Sequence, residues 1–111
     1  MEAKAIQKYA RLTPRKARRV VDLIRGKKAG EALIALRFMP YRGARFIEKI
    51  LKSAMSNAEQ KNNNVDSEAL VVSGALVDSG STMKRVEQRS MGRAYMLKKR
   101  TCHITLILKE K

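Results

Sequence analysis

Residues 79–100, SGSTMKRVEQRSMGRAYMLKKR, constrain this chain more than any other stretch. They are too polar and too basic to fold on themselves, yet they sit between two segments with the β-branched and aliphatic bias of sheet, residues 70–77 and 101–108. If those segments pair antiparallel, the connection between them is about twenty residues, far beyond an ordinary hairpin loop and of a length that is normally functional or disordered. Lys84, Arg85, Arg89, Arg93, Lys98, Lys99 and Arg100 punctuate it, with Glu87 its only acid. Such a density of like charge repels itself unless a polyanion neutralises it. Two conformations are open to it: a two-stranded arm projecting about 30 Å, or a loop that orders on binding. Met83, Val86, Met91, Tyr95, Met96 and Leu97 are too scattered for a second core, and Gly80 and Gly92 are candidate bulge or bend points.

The charge of the whole chain agrees. At 111 residues, with 44% hydrophobic residues, a net charge of +15 and a pI of 10.6, it reads as one folded domain with an acidic polymer as partner. Nucleic acid stands ahead of acidic proteins or an anionic membrane. Cys102 is the only cysteine, so no intrachain disulfide or zinc framework is available. Neither a secretory signal core nor a run long enough to span a bilayer is visible, and the protein is expected to be soluble, with no membrane partner. His103 lacks the sequence neighbours of a catalytic triad, and Cys102 and His103 should point to opposite faces of a strand, a poor start for chelation. With no phosphate-binding glycine loop and no paired carboxylates, enzymatic activity, a metal and a cofactor are not expected.

The remaining pattern is α+β. Residues 3–11 suggest an edge strand. Thr13-Pro14 opens a helix, Thr13 capping and Pro14 suiting the first helical position. Ala17, Val20, Val21 and Ile24 make its apolar face, Arg15, Arg18 and Arg19 a basic ridge on the other side, and Gly26 its stop. A second helix carries Ala29, Ala32, Leu33 and Leu36 and closes near Pro40. A third, over residues 41–60, holds Ala44, Ile47, Leu51, Ala54, Met55 and Ala58 on one stripe and Arg42, Arg45, Lys49 and Lys52 on another. Residues 65–68 should lead into the central strand. The economical architecture is three helices packed on a small three-stranded antiparallel sheet, with the long hairpin arm at 79–100.

The first two helices and the turn at Gly26 have the spacing of a helix-turn-helix, so sequence-specific DNA binding competes with RNA binding. Ala29, Gly30, Glu31 and Ala32 at the start of the second helix are poor base readers, which weakens that alternative.

The stretches MEAKAI, LTPRKARRVVDLIRGK, LKSAMSNAEQ, VDSGSTMKR and SMGRAYMLKKRTCHIT, spread over the whole chain, resemble the bacterial-type large-subunit ribosomal protein twenty-two family. The resemblance implies a non-enzymatic cytoplasmic constituent of the large ribosomal subunit, with its globular part near the peptide tunnel exit and its arm lining the tunnel wall. Implied partners are large ribosomal RNA, neighbouring large-subunit proteins and, near the arm tip, the nascent peptide; a homo-oligomer is not expected. RNA contact is expected from Arg11, Arg15, Lys16, Arg18, Arg19, Lys84, Arg85, Arg89, Arg93, Lys98, Lys99, Arg100 and His103, and tunnel lining from Val86, Glu87, Gln88, Arg89 and Ser90. Where the family has Gly-Pro at the arm's root and Arg-Pro at its tip, this chain has Gly80-Ser81 and Glu87-Gln88, which should leave the arm less rigid.

Overall fold

A computed structural model describes residues 2–88 and 90–110, the side chains of Ser90 and Tyr95 excepted. The elements run β1 (Glu2–Ala10), α1 (Pro14–Ile24), α2 (Ala29–Phe38), α3 (Arg42–Lys61), β2 (Val71–Gln88) and β3 (Ala94–Lys109), with short 3-10 turns at Ser67–Ala69 and Ser90–Gly92. The fold is α+β: three helices on one face of an antiparallel sheet in the order β1-β3-β2.

The sheet order corrects one expectation. The strand that follows residues 65–68 is β2, an edge strand, and β3 lies in the centre. Composition explains this. Cys102, Ile104, Leu106 and Leu108 on one face of β3 are fully buried, and His103, Thr105 and Ile107 on the other are half-buried. A strand so thoroughly apolar is stable only when both backbone edges are paired, and β1 supplies the second edge.

Local signals set the helices. Thr13 Oγ1 accepts from the Lys16 N–H at 3.4 Å, with Pro14 in the first turn. Gly26, at φ +86, ends α1 in the left-handed region, and its N–H donates to the Val72 carbonyl at 2.9 Å. One turn of chain therefore passes directly from α1 to the sheet. The buried side chains Val20, Val21 and Ile24 of α1, Leu36 of α2, and Ile47, Ile50 and Leu51 of α3 meet the β3 row in one core.

The sheet has two outer edges, and helix side chains occupy both within the core. On β1, Asn57 Nδ2 donates to the Lys4 carbonyl at 3.0 Å and Lys61 Nζ to the Glu2 carbonyl at 2.9 Å. On β2, Arg18 of α1 and Arg25, the residue that caps its C-terminus, donate to the carbonyls of Val77 and Ala75 at 3.0 and 2.6 Å. Donors from α3 and α1 thus cover backbone groups that could otherwise template another strand.

β2 and β3 continue past the core as the arm, paired from Thr82↔Arg100 to Gln88↔Ala94. Of the two conformations open from sequence, the paired arm is the observed one, and it helps stretch the molecule to 64 Å along its longest axis against 24 and 16 Å. At its root the register shifts between Ser79↔Cys102 and Thr82↔Arg100, so Gly80 and Ser81 oppose Thr101 in a bulge. Thr101, 4% exposed, donates from Oγ1 to the Ser81 carbonyl at 2.6 Å. A Cβ on Gly80 would lie 2.5 Å from that hydroxyl, so the bulge requires glycine by close approach. Gly80→Ala should therefore destabilise the domain by about 1–3 kcal/mol, measured by urea unfolding, and should cost less in a Thr101→Ala background, where the clashing hydroxyl is gone.

Candidate nucleic-acid interface

Three connections meet where the arm leaves the core: the link from β1 into α1, the link from α2 into α3, and the arm's root. Between them lies a cleft of about 760 Å³. Arg11, Lys16, Arg19, Arg42, Arg85, Lys98, Lys99 and Arg100 line it, together with Leu12, Thr13, Pro40, Tyr41, Gly43 and Met83. No carboxylate is among these residues. Two helices also begin here. Neither α1 nor α3 has an acid in its first turn, and α3 has no side-chain cap. Its N-terminal amides and partial positive charge are therefore available to an anion.

Packing fixes the walls. Gly43 allows α3 to approach α1 closely, since a Cβ there would lie 3.0 Å from Leu12 Cδ2 and 3.4 Å from Val20 Cγ2. The Arg19 guanidinium sits 5.2 Å from the centroid of the Tyr41 ring, a cation–π contact that holds it at the rim. Along the arm, Lys84 stands directly opposite Lys98 and Met83 opposite Lys99. Like charges in direct cross-strand register oppose pairing when no counter-charge lies between or beside them.

The structure divides the residues expected from sequence to touch RNA. Arg11, Lys16, Arg19, Arg85, Lys98, Lys99 and Arg100 come together in the cleft. Arg15 is exposed on α1 outside it, Lys84 lies along the arm, and Arg93 lies beyond Gly92 at the distal turn. Arg89 falls outside the described residues. Arg18 stays exposed with Arg15 and Arg19 on the basic ridge, and it also has a structural task, its Nη2 donating to the Val77 carbonyl at 3.0 Å. His103 is tied into the β1 bulge: its Nδ1 accepts the Tyr9 backbone N–H at 3.0 Å, and its ring meets the Tyr9 ring edge to face at 4.7 Å.

The stripe on α3 is divided in the same way. Arg45 pairs with Glu48 at 2.9 Å and donates to the Arg37 and Met39 carbonyls at 3.1 and 2.9 Å, closing the end of α2. Lys52 lies 3.5 Å from the same Glu48. Arg42 instead turns into the cleft beside Tyr41, two residues the sequence reading did not place at the interface. A signal for them exists in the sequence: a cation in the first turn of an uncapped helix is electrostatically unfavourable unless an anion arrives from outside.

The arm's end also differs from expectation. Val86, Glu87 and Gln88 are paired strand residues opposite Met96, Tyr95 and Ala94. The chain reverses at Ser90–Gly92, with Met91 at φ 66 and Gly92 at φ 72. Met91, 94% exposed, occupies the extremity, a position that the sequence reading gave to residues 86–90. The Ser90 side chain lies outside the described residues.

Cys102 is buried behind the arm's root on the opposite face of β3 from His103. Burial pushes its thiol above the ordinary range, while the Arg18 guanidinium pulls the other way. A thiol so placed is inert. The helix-turn-helix alternative fails on packing: Ala29 at the start of α2 is fully buried, and its N–H donates to the Leu70 carbonyl at 2.7 Å. The helix that would have to enter a major groove is anchored to the protein at its first residue, and the exposed residue of its first turn is an acid, Glu31.

The fold and cleft together define a class, a basic α+β domain with a projecting hairpin and a cation-lined cleft at the hairpin's root. Residues 5–109 match the family described as ribosomal protein L22p/L17e, and the chain belongs to that family, whose members are structural and non-enzymatic. It is 55% identical over 111 residues to the large ribosomal subunit protein uL22 of Desulforamulus reducens, covering 100% of this chain and 97% of that protein. The corresponding proteins of Halothermothrix orenii and Thermoanaerobacter sp. strain X514 are 53% and 52% identical over 111 residues, covering 100% of this chain and 97% and 99% of theirs.

The division between structural and anion-facing arginines is open to measurement. Arg18→Gln should lower unfolding stability by about 1 kcal/mol through the orphaned Val77 carbonyl, whereas Arg15→Gln should stay within about 0.5 kcal/mol of the parent. Chemical denaturation of the two variants side by side checks it.

Proposed function

We propose that the whole chain acts as one RNA-binding domain, whose cleft grips the phosphates of large ribosomal RNA and whose arm extends along the wall of the peptide exit tunnel. The chain is a structural constituent of the large ribosomal subunit and works in the ribosome, in the cytoplasm. Its partners are accordingly ribosomal RNA and other ribosomal proteins. The observation that carries the RNA reading is the cleft, where cations from three separated segments converge with two helix N-termini and no carboxylate. Arginine and lysine address phosphate, and aromatic residues, at 5%, are too few to build a base-stacking platform. Binding therefore anchors by charge and shape, and RNA entering the cleft screens the Lys84–Lys98 opposition and stiffens the arm. In this way the protein assists assembly of the subunit.

Beyond the cleft the arm changes character. Val86 and Met96 face each other on one side at 71% and 61% exposure, and Met91 caps the end. These, with Glu87, Gln88, Arg89 and Ser90, form the stretch proposed to line the passage and meet the nascent peptide. The protein acts there as one copy per particle, setting the width and surface of the passage and performing no chemistry.

Affinity for isolated large ribosomal RNA should fall about a thousandfold between about 50 and 200 mM salt if some six phosphates are contacted; a flat response measured by filter binding overturns the reading. For the tip, Glu87 and Gln88 are best removed together with their partners Tyr95 and Ala94. This keeps register and places the same turn on the Val86–Met96 rung, facing the same way. Deleting residues 86–90 instead would take one strand and part of the turn. The shortened protein should enter large subunits normally while altering translational pausing by peptides that stall in the passage. Lost incorporation with normal pausing in the surviving particles would make the tip an RNA anchor.

A further inference from the structure

The helices cover one face of the sheet. On the other, strand register lines up Ile6, Thr105 and Leu76 as one row across all three strands, and Lys4, Ile107 and Gly74 as the next. Ile6 is 51% and Leu76 54% exposed. Ile107 lies over Gly74, where a Cβ would come within 3.2 Å of its Cδ1, so the surface is flat there. The solvated face of an antiparallel sheet normally carries polar residues, whereas here Ile6, Leu76 and Ile107 surround Thr105 as an exposed aliphatic cluster, the kind of patch that marks a contact surface.

The charges around this row differ from those of the cleft. Lys4 and Lys8 stand along the β1 side, Asp78 stands on the β2 side opposite His103, and Lys109 and Glu2 lie 3.6 Å apart as an ion pair. The face is close to neutral in a chain of net charge +15. It lacks the cation cluster that phosphate needs, and its two rings, Tyr9 and His103, lie toward one end and pack edge to face on each other. Two copies of the chain would bring two charges of +15 together.

We propose that this sheet face docks a neighbouring protein of the large subunit, through a segment that presents aliphatic side chains to Ile6, Leu76 and Ile107. Charge complementarity sets its flanks: a carboxylate opposite Lys4 and a base opposite Asp78. From strand and residue spacings the two positions lie about 17 Å apart on the diagonal. The proposal rests on the ribosomal reading, and it assigns to protein contact a surface separate from the RNA cleft.

The test is competition for incorporation between the parent and an Ile6→Lys, Leu76→Lys variant, expressed together and counted in purified large subunits. Added lysines strengthen contact with RNA and weaken contact with an aliphatic protein surface. The variant should bind isolated ribosomal RNA at least as tightly as the parent, yet lose incorporation about fivefold or more. An Ile6→Thr, Leu76→Thr pair, which retains strand propensity, should show the same loss in smaller measure while unfolding cooperatively. A photo-crosslinking side chain at position 76 in intact subunits should form its adduct with an aliphatic, carboxylate-bearing peptide of another large-subunit protein. Full competitiveness of both variants, or an adduct with RNA or with a second copy, would overturn the proposal. Failure of the parent itself to enter large subunits would instead overturn the ribosomal reading.

Discussion

One strand carries both halves of this molecule. β3 begins at Ala94 in the arm and ends at Lys109 under the helices. Its core half is held from both sides by β1 and β2, and from one face by the side chains of three helices. Because the backbone is continuous, the arm is cantilevered from the most deeply buried strand and not attached through a loop. The bulge at Gly80 lies where the arm leaves the core, and it is closed by a buried hydroxyl.

Arginine has two distinct roles here. Arg18, Arg25 and Arg45 donate to backbone carbonyls at the sheet edge and at the end of α2, where their reach joins elements distant in sequence. Arg11, Arg19, Arg42, Arg85 and Arg100 line a cleft without carboxylates. The first group stabilises the fold whether or not a partner is present. The second is arranged at an electrostatic cost that an anionic partner removes. Helical spacing places Arg15, Arg18 and Arg19 on one face, but only the fold shows that Arg18 also bonds a strand carbonyl.

Edges and faces show a related division. Within the core, Asn57, Lys61, Arg18 and Arg25 cover the outer carbonyls of β1 and β2. Among the described residues, no third strand pairs along the arm, since β1 stops at Ala10 opposite Cys102. The core is thus protected at both edges, while the arm, a two-stranded ribbon carrying opposed lysines, has little of its own to hold it.

The sequence by itself determined the class of fold and the strongly basic character of the chain. The Thr13-Pro14 start, the Gly26 stop and the stripe on α3 are local chemistry, and the charge of residues 79–100 is legible without coordinates. The alternation in residues 101–108 likewise announces a strand with one face in the core. Only the tertiary structure decided which strand is central, because that depends on competition among strands for the most apolar neighbour. It also decided which cations gather, since Arg11, Arg42 and Lys98 are far apart in the chain and meet only where three connections converge. The extremity of the arm was decided in the same way: register, set by the bulge, places the reversal at Ser90–Gly92, and one residue fewer in that bulge would have turned the arm side chains of β2 to the opposite face.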